Sequence, residues 1–127
     1  MANTDNIISF VSAEAITEYA LVSVNNDGKI VITDAADDSR CVGVAQRACA
    51  SGDSVEVKVQ GLTRVVAGAT IANTASLVMA DTDGKVVTHA TTGNYSIGQI
   101  MPNINQASSS ASDQITIKLT APSNLIP

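Results

Sequence analysis

A chain that carries the same stretch twice is committed to building the same local structure twice. Residues 20–31, ALVSVNNDGKIV, align without a gap with residues 76–87, SLVMADTDGKVV, and six of the twelve positions are identical. Downstream, CVGV at 41–44 matches SIGQ at 96–99, and DSVEVKV at 53–59 matches DQITIKL at 113–119. An apolar pair, an Asp-Gly step, an apolar-Gly step and an alternating run thus recur in one order, which reads as a duplication.

Each landmark dictates a local geometry. Asp27-Gly28 and Asp83-Gly84 stand between apolar runs, where a tight hairpin needs the positive φ that Gly adopts freely and Asp tolerates. Val55, Val57 and Val59 alternate with Glu56, Lys58 and Gln60, and Ile115, Ile117 and Leu119 alternate with Thr116, Lys118 and Thr120. That period of two predicts half-buried strands facing a core. Ile30, Val31 and Ile32 are apolar without a break, which predicts a strand covered on both sides or lying at a subunit contact. Gly43 and Gly98 interrupt strand patterns and mark a bulge or bend. The fold class expected is all-β: a small β-barrel or β-tulip of two duplicated hairpin-containing units, with repeats at about 15–61 and 70–120 in one domain over 15–127.

Two stretches break the duplication. The interval from Gly98 to Asp113 is five residues longer than that from Gly43 to Asp53, the excess lying in the Ser- and Asn-rich residues 105–112. This predicts a solvated loop or a partner-contact loop. Residues 1–14 form an N-terminal arm with no counterpart in the second copy, in which Ile7, Ile8, Phe10 and Val11 cluster. The arm is expected either to pack on the protein's own sheet or to add to a partner's sheet edge. Residues 61–74 are expected to hold a short strand, Leu62 to Val66, joining the units.

Composition excludes several function classes. Phe10, Tyr19 and Tyr95 are the whole aromatic set, so aliphatic side chains must fill the core and sugar-binding platforms are missing. A net charge of −5 with seven singly scattered Lys and Arg excludes nucleic acid as a partner, because phosphate binding depends on clustered cations. No apolar run reaches the length of a membrane span, and MANTDNIISF lacks the basic and apolar regions of a secretion signal. Production in a cytoplasm is therefore expected, with Cys41 and Cys49 as thiols.

Candidates for chemistry fail on context. His89, the lone histidine, has no nucleophile motif near it. Asp34, Asp37 and Asp38 read as a solvated turn. Asn25, Asp27, Gly28 and Asp34 match four positions of a calcium-binding loop, but Ser23 stands where that loop needs its first acid and the flanks read as strands. No catalytic, cofactor-binding or metal-binding residue and no small-molecule substrate is expected.

The order of YALV at 19–22, DGKIV at 27–31, VGVA at 42–45, ASGD at 50–53, VEVKV at 55–59 and AGATIA at 67–72, continued by DGKVV, Ile97-Gly98 and ITIKL, resembles the capsid decoration, or cement, proteins of tailed phages and prophages. The resemblance runs from about Ala15 to Thr120. It implies a β-tulip or small-barrel fold, a homotrimer on the outside of the virion capsid assembled in the host cytoplasm, the major capsid protein as partner, and stabilisation of the DNA-filled head. On that reading Ile7, Ile8, Phe10 and Val11 are the expected capsid contacts. The alternatives are another virion part, such as a tail-tube, head-completion or fibre-base subunit, or a non-enzymatic β-sheet binding module.

Overall fold

The computed structural model describes residues 7–34, 40–72, 77–89, 96–101, 108–109 and 111–123. Their strands are β1 (Ile7–Val11), β2 (Leu21–Val24), β3 (Ile30–Ile32), β4 (Cys41–Ala45), β5 (Ser54–Lys58), β6 (Gly61–Val66), β7 (Ile71–Ala72), β8 (Leu77–Ala80), β9 (Val86–Thr88), β10 (Ser96–Ile100), β11 (Ser108–Ser109) and β12 (Gln114–Ser123). One five-stranded sheet runs β1-β5-β4-β2-β3 and a second runs β6-β12-β10-β8-β9, while β7 pairs with β11. All these pairings are antiparallel.

The two orders are one order. β2, β3, β4 and β5 map onto β8, β9, β10 and β12 as the aligned segments require, and β1 then maps onto β6. Individual hydrogen bonds repeat as well. The Thr33 N–H donates to the Leu21 carbonyl and the His89 N–H to that of Leu77, both at 2.9 Å. Ser12 after β1 bridges Ile30 in parallel, and Ala67 after β6 bridges Val86. Each bridge brings the chain just after the first strand onto the last strand of its sheet, so each unit curls into a small barrel joined only over that short stretch, with β1 and β6 left as edge strands.

The N-terminal stretch is therefore not unrepeated. β1 pairs with β5 from Ile7↔Lys58 to Val11↔Ser54, and β6 pairs with β12 from Leu62↔Lys118 to Val66↔Gln114. Nor is Gly61–Val66 a connector: it is the first strand of the second unit. IISFV and LTRVV share only their last residue, because an edge strand needs little more than extended backbone and one apolar face. The pairing, not the residues, makes them equivalent.

Both bend-marking glycines meet the same obstacle. A Cβ on Gly43 would lie 2.0 Å from the Lys58 carbonyl oxygen, and one on Gly98 2.7 Å from that of Lys118. The β2–β4 register shifts between Val22 and Ser23, and β10 shifts between Ser96 and Gly98. The sheet bends at each bulge, and the backbones approach closely enough to admit only hydrogen.

Among the described residues two apolar clusters form. Ile16, Ala20, Val22, Ile30, Ala45, Val55 and Val57 fill the first barrel, with Phe10 packed against them. Val65, Ala67, Ile71, Val78, Val86, Ile97, Ile100, Ile115, Ile117 and Leu119 fill the second, but this cluster also takes in Leu21, Cys41 and Val44 from the first unit. The outer face of β2 and β4 thus completes the second core. The turn Thr82–Gly84 between β8 and β9 reinforces the contact: Gly84 donates its N–H to the Thr33 carbonyl at 2.9 Å, and Asp83 donates its own to the Asp34 carboxylate at 3.0 Å. A Cβ on Gly84 would sit 3.1 Å from Ile32 Cγ2. The unbroken apolar run of β3 is accounted for: Ile30 points into the barrel and Ile32 lies under this turn.

Candidate partner-contact surface

Among the described residues nothing resembling a reaction centre assembles. His89 is buried beside β9. Asn25 acts as the brace of a hairpin turn, its Oδ1 accepting the N–H groups of Asp27 at 2.9 Å and Lys29 at 3.0 Å. The partial match to a calcium loop reduces to that Asx turn. Asp34 accepts from the second unit's turn, and Asp37 and Asp38 lie outside the described residues. Cys41 and Cys49 remain thiols. Among the described residues no group of three or more His, Cys, Asp or Glu side chains is placed to hold a metal ion. In the long loop, residues 105–107 and 110 lie outside the described residues, while Ser108–Ser109 pairs with β7.

What the surface does present is apolar edge. Among the described residues the exposed large hydrophobics are Ile7 (46 %), Ile8 (47 %), Val11 (41 %) and Leu62 (58 %). All four belong to β1 or β6, the equivalent edge strands, and Ile7 and Leu62 hold equivalent positions opposite Lys58 and Lys118. Single exposed aliphatics need no explanation, but four that all fall, among the described residues, on the one strand the two units have in common make β1 and β6 the candidate partner contacts.

Alternation divides the expected set of Ile7, Ile8, Phe10 and Val11 between two faces. Ile8 and Phe10 pair with the buried Val57 and Val55 and so look toward the barrel interior, where Phe10 is half-buried. Ile7 and Val11 look outward with Ser9. Leu62, which sequence reasoning left as an ordinary strand residue, shares the outward face of its unit. Its signal lay in the register with β12, which cannot be read from local pattern.

The polar groups nearby do structural work. Arg47 Nε donates to Glu56 Oε1 at 2.8 Å, and the Arg47 guanidinium also donates to the Ser54 carbonyl. That hydrogen bond holds the Glu56 carboxyl below its ordinary range and raises the Arg47 guanidinium. Both side chains are about half exposed, so the pair contributes little to stability.

With two barrels, an apolar edge in each and no reaction centre among the described residues, comparison with known proteins becomes decisive. A family model described as phage cement protein matches residues 2–119. The chain belongs to the phage cement protein family. Its expected resemblance to capsid decoration proteins therefore holds, and the cement protein is a non-enzymatic structural protein of the phage head. No curated protein matches the chain in sequence. Among solved structures it is similar to the crystal structure of the head fiber gp8.5 N base in bacteriophage phi29, at 16 % identity and a TM-score of 0.69, with 91 % of this chain and 94 % of that one covered. At that identity the likeness concerns the fold, and the all-β architecture is common to both.

Proposed function

We propose that this cement protein binds the outside of an assembled phage head as a homotrimer, contacts the major capsid protein, and stabilises the shell against the pressure of packaged DNA. The observation that carries the proposal is the apolar surface on β1 and β6. Ile7 and Val11 stay in the capsid footprint, and Leu62 joins them as their counterpart on the second unit. Each side chain is already about half covered, so completing its burial contributes roughly 1 kcal/mol. Three copies per trimer multiply these modest contacts into avidity, and whatever binds only the closed shell stabilises it by mass action.

The test is to add purified protein to expanded heads lacking it, image the particles, and measure their resistance to heat and to DNA loss. Trimeric density and a raised disruption temperature are expected, with Ile7→Asp/Leu62→Asp abolishing both. Undiminished binding by that double variant would remove the footprint. A fibre-base role is the second reading, favoured by the fold shared with the head fiber base; imaging separates the two, since a cement leaves compact knobs and a base carries a projecting stalk.

A further inference from the structure

The contact between the two units is one-directional. The turn of the second unit sits on β2 and β3 of the first, whereas Gly28, its equivalent in the first unit, has nothing within 4 Å of the Cβ it lacks. β4 packs on β6 and β12 and lends Cys41 and Val44 to the second core, whereas the cluster of the first unit takes in no residue of the second. An interface whose two sides differ is heterologous, and it leaves one unused half at each end of the molecule.

The unused halves are recognisable residue by residue. Thr63, on the inner face of β6, is 7 % exposed, because β4 covers it and Gln46 donates from Nε2 to its Oγ1 at 3.1 Å. Its equivalent on β1 is Ile8, on the same inner face and nearly half exposed. The equivalent of Gln46 is Met101: Gln46 donates its N–H to the Glu56 carbonyl and Met101 to that of Thr116, both at 2.9 Å. The polar pair Gln46 and Thr63 inside the chain thus corresponds to an apolar pair, Met101 and Ile8, that one chain cannot bring together. Leu21, fully buried at the internal contact, corresponds to Leu77, which is half-buried. Gln99 in place of Val44 is the polar exception, and the edge of β1 not paired with β5 offers backbone groups to its amide.

We infer that copies of this chain join head to tail by repeating between chains the contact that joins the units within one: the Asp27-Gly28 turn and Ile8 of one copy seat against β8, β9 and β10 of the next, with Ile8 meeting Met101. The inference deepens the trimer reading, since two units from each of three chains then form a ring of like contacts. On docking, the Gly28 N–H exchanges its present acceptor, the Asn25 carbonyl at 3.2 Å, for the carbonyl equivalent to that of Thr33, which is His89's.

A cysteine pair tests it. Ile8→Cys/Met101→Cys in a Cys49→Ser background, oxidised mildly in solution and again on heads, is expected to give covalently linked oligomers larger than a dimer, while either single variant does not. Chains that stay unlinked in both settings, or Ile8→Cys alone linking as fast as the pair, would overturn it. Gly28→Asn provides a second arm, because Asn tolerates positive φ and the site is open within one chain: a thermal transition near that of the wild type is expected, with linking by the cysteine pair reduced at least tenfold. Undiminished linking would remove the turn from the interface. Ile7→Asp/Leu62→Asp keeps the two proposals apart, since it should spare linking while abolishing capsid binding.

Discussion

Gly28 and Gly84 occupy the same place in two hairpins that both read Asp-Gly-Lys, and both have positive φ, +78° and +73°. One faces open solvent; a Cβ on the other would stand 2.8 Å from Ala20 Cβ and 3.0 Å from the Leu21 nitrogen. Backbone conformation alone accounts for the first glycine. The second is required twice over, by its turn and by the unit it leans on. Duplicated sequence therefore yields duplicated geometry, while the environment of each copy depends on which side of a one-way contact it falls.

The most forceful way to break this comparison is to separate the halves. Residues 1–60 are expected to retain a cooperative thermal transition by circular dichroism and residues 61–127 to lack one, because the second core alone borrows Leu21, Cys41 and Val44 from its neighbour. A cooperative second half would show the borrowed contacts to be dispensable. Next come the glycines at the bulges, where the units should agree in kind. Gly43→Ala is expected to cost about 3 kcal/mol or more in urea denaturation and Gly98→Ala about 1–3 kcal/mol, in the order of their 2.0 and 2.7 Å approaches.

The turn glycines sharpen the contrast further. Gly28→Ala should cost only the left-handed strain, about 1–2 kcal/mol, and Gly84→Ala about 1–2 kcal/mol more for displacing the first unit. Equal losses would mean that the docked turn is not held. The smallest effect concerns Glu56, whose equivalent in the second unit is Thr116 and carries no ion pair. A carboxyl held low by Arg47 in the folded state stabilises above its unfolded pKa, and that stabilisation is lost as pH falls through the folded value. The stability difference between wild type and Glu56→Gln should therefore shrink on titration from about pH 6 to about pH 3, a slight change readable only in paired melts.

The parts legible in sequence were those with short-range causes. The Asp-Gly hairpins, the alternating β5 and β12, and the bends at Gly43 and Gly98 each follow from a few neighbouring residues. β1 escaped recognition as a repeat because its equivalence to β6 resides in pairing with a strand more than forty residues away. Ile7, Ile8, Phe10 and Val11 stood out as an apolar cluster, yet their division between two faces depends on the register with β5. Leu62 gave no local sign at all.

The borrowed residues of the second core also set a direction in time. Every residue of the first cluster lies between Phe10 and Val59, so that barrel can close while the rest of the chain is still on the ribosome, as domains made first generally do. The second half then emerges beside a finished surface bearing Leu21 and Val44, the wall its own core lacks. The half whose core is filled by its own residues is synthesised first, and it presents to the later half the wall that half's core lacks.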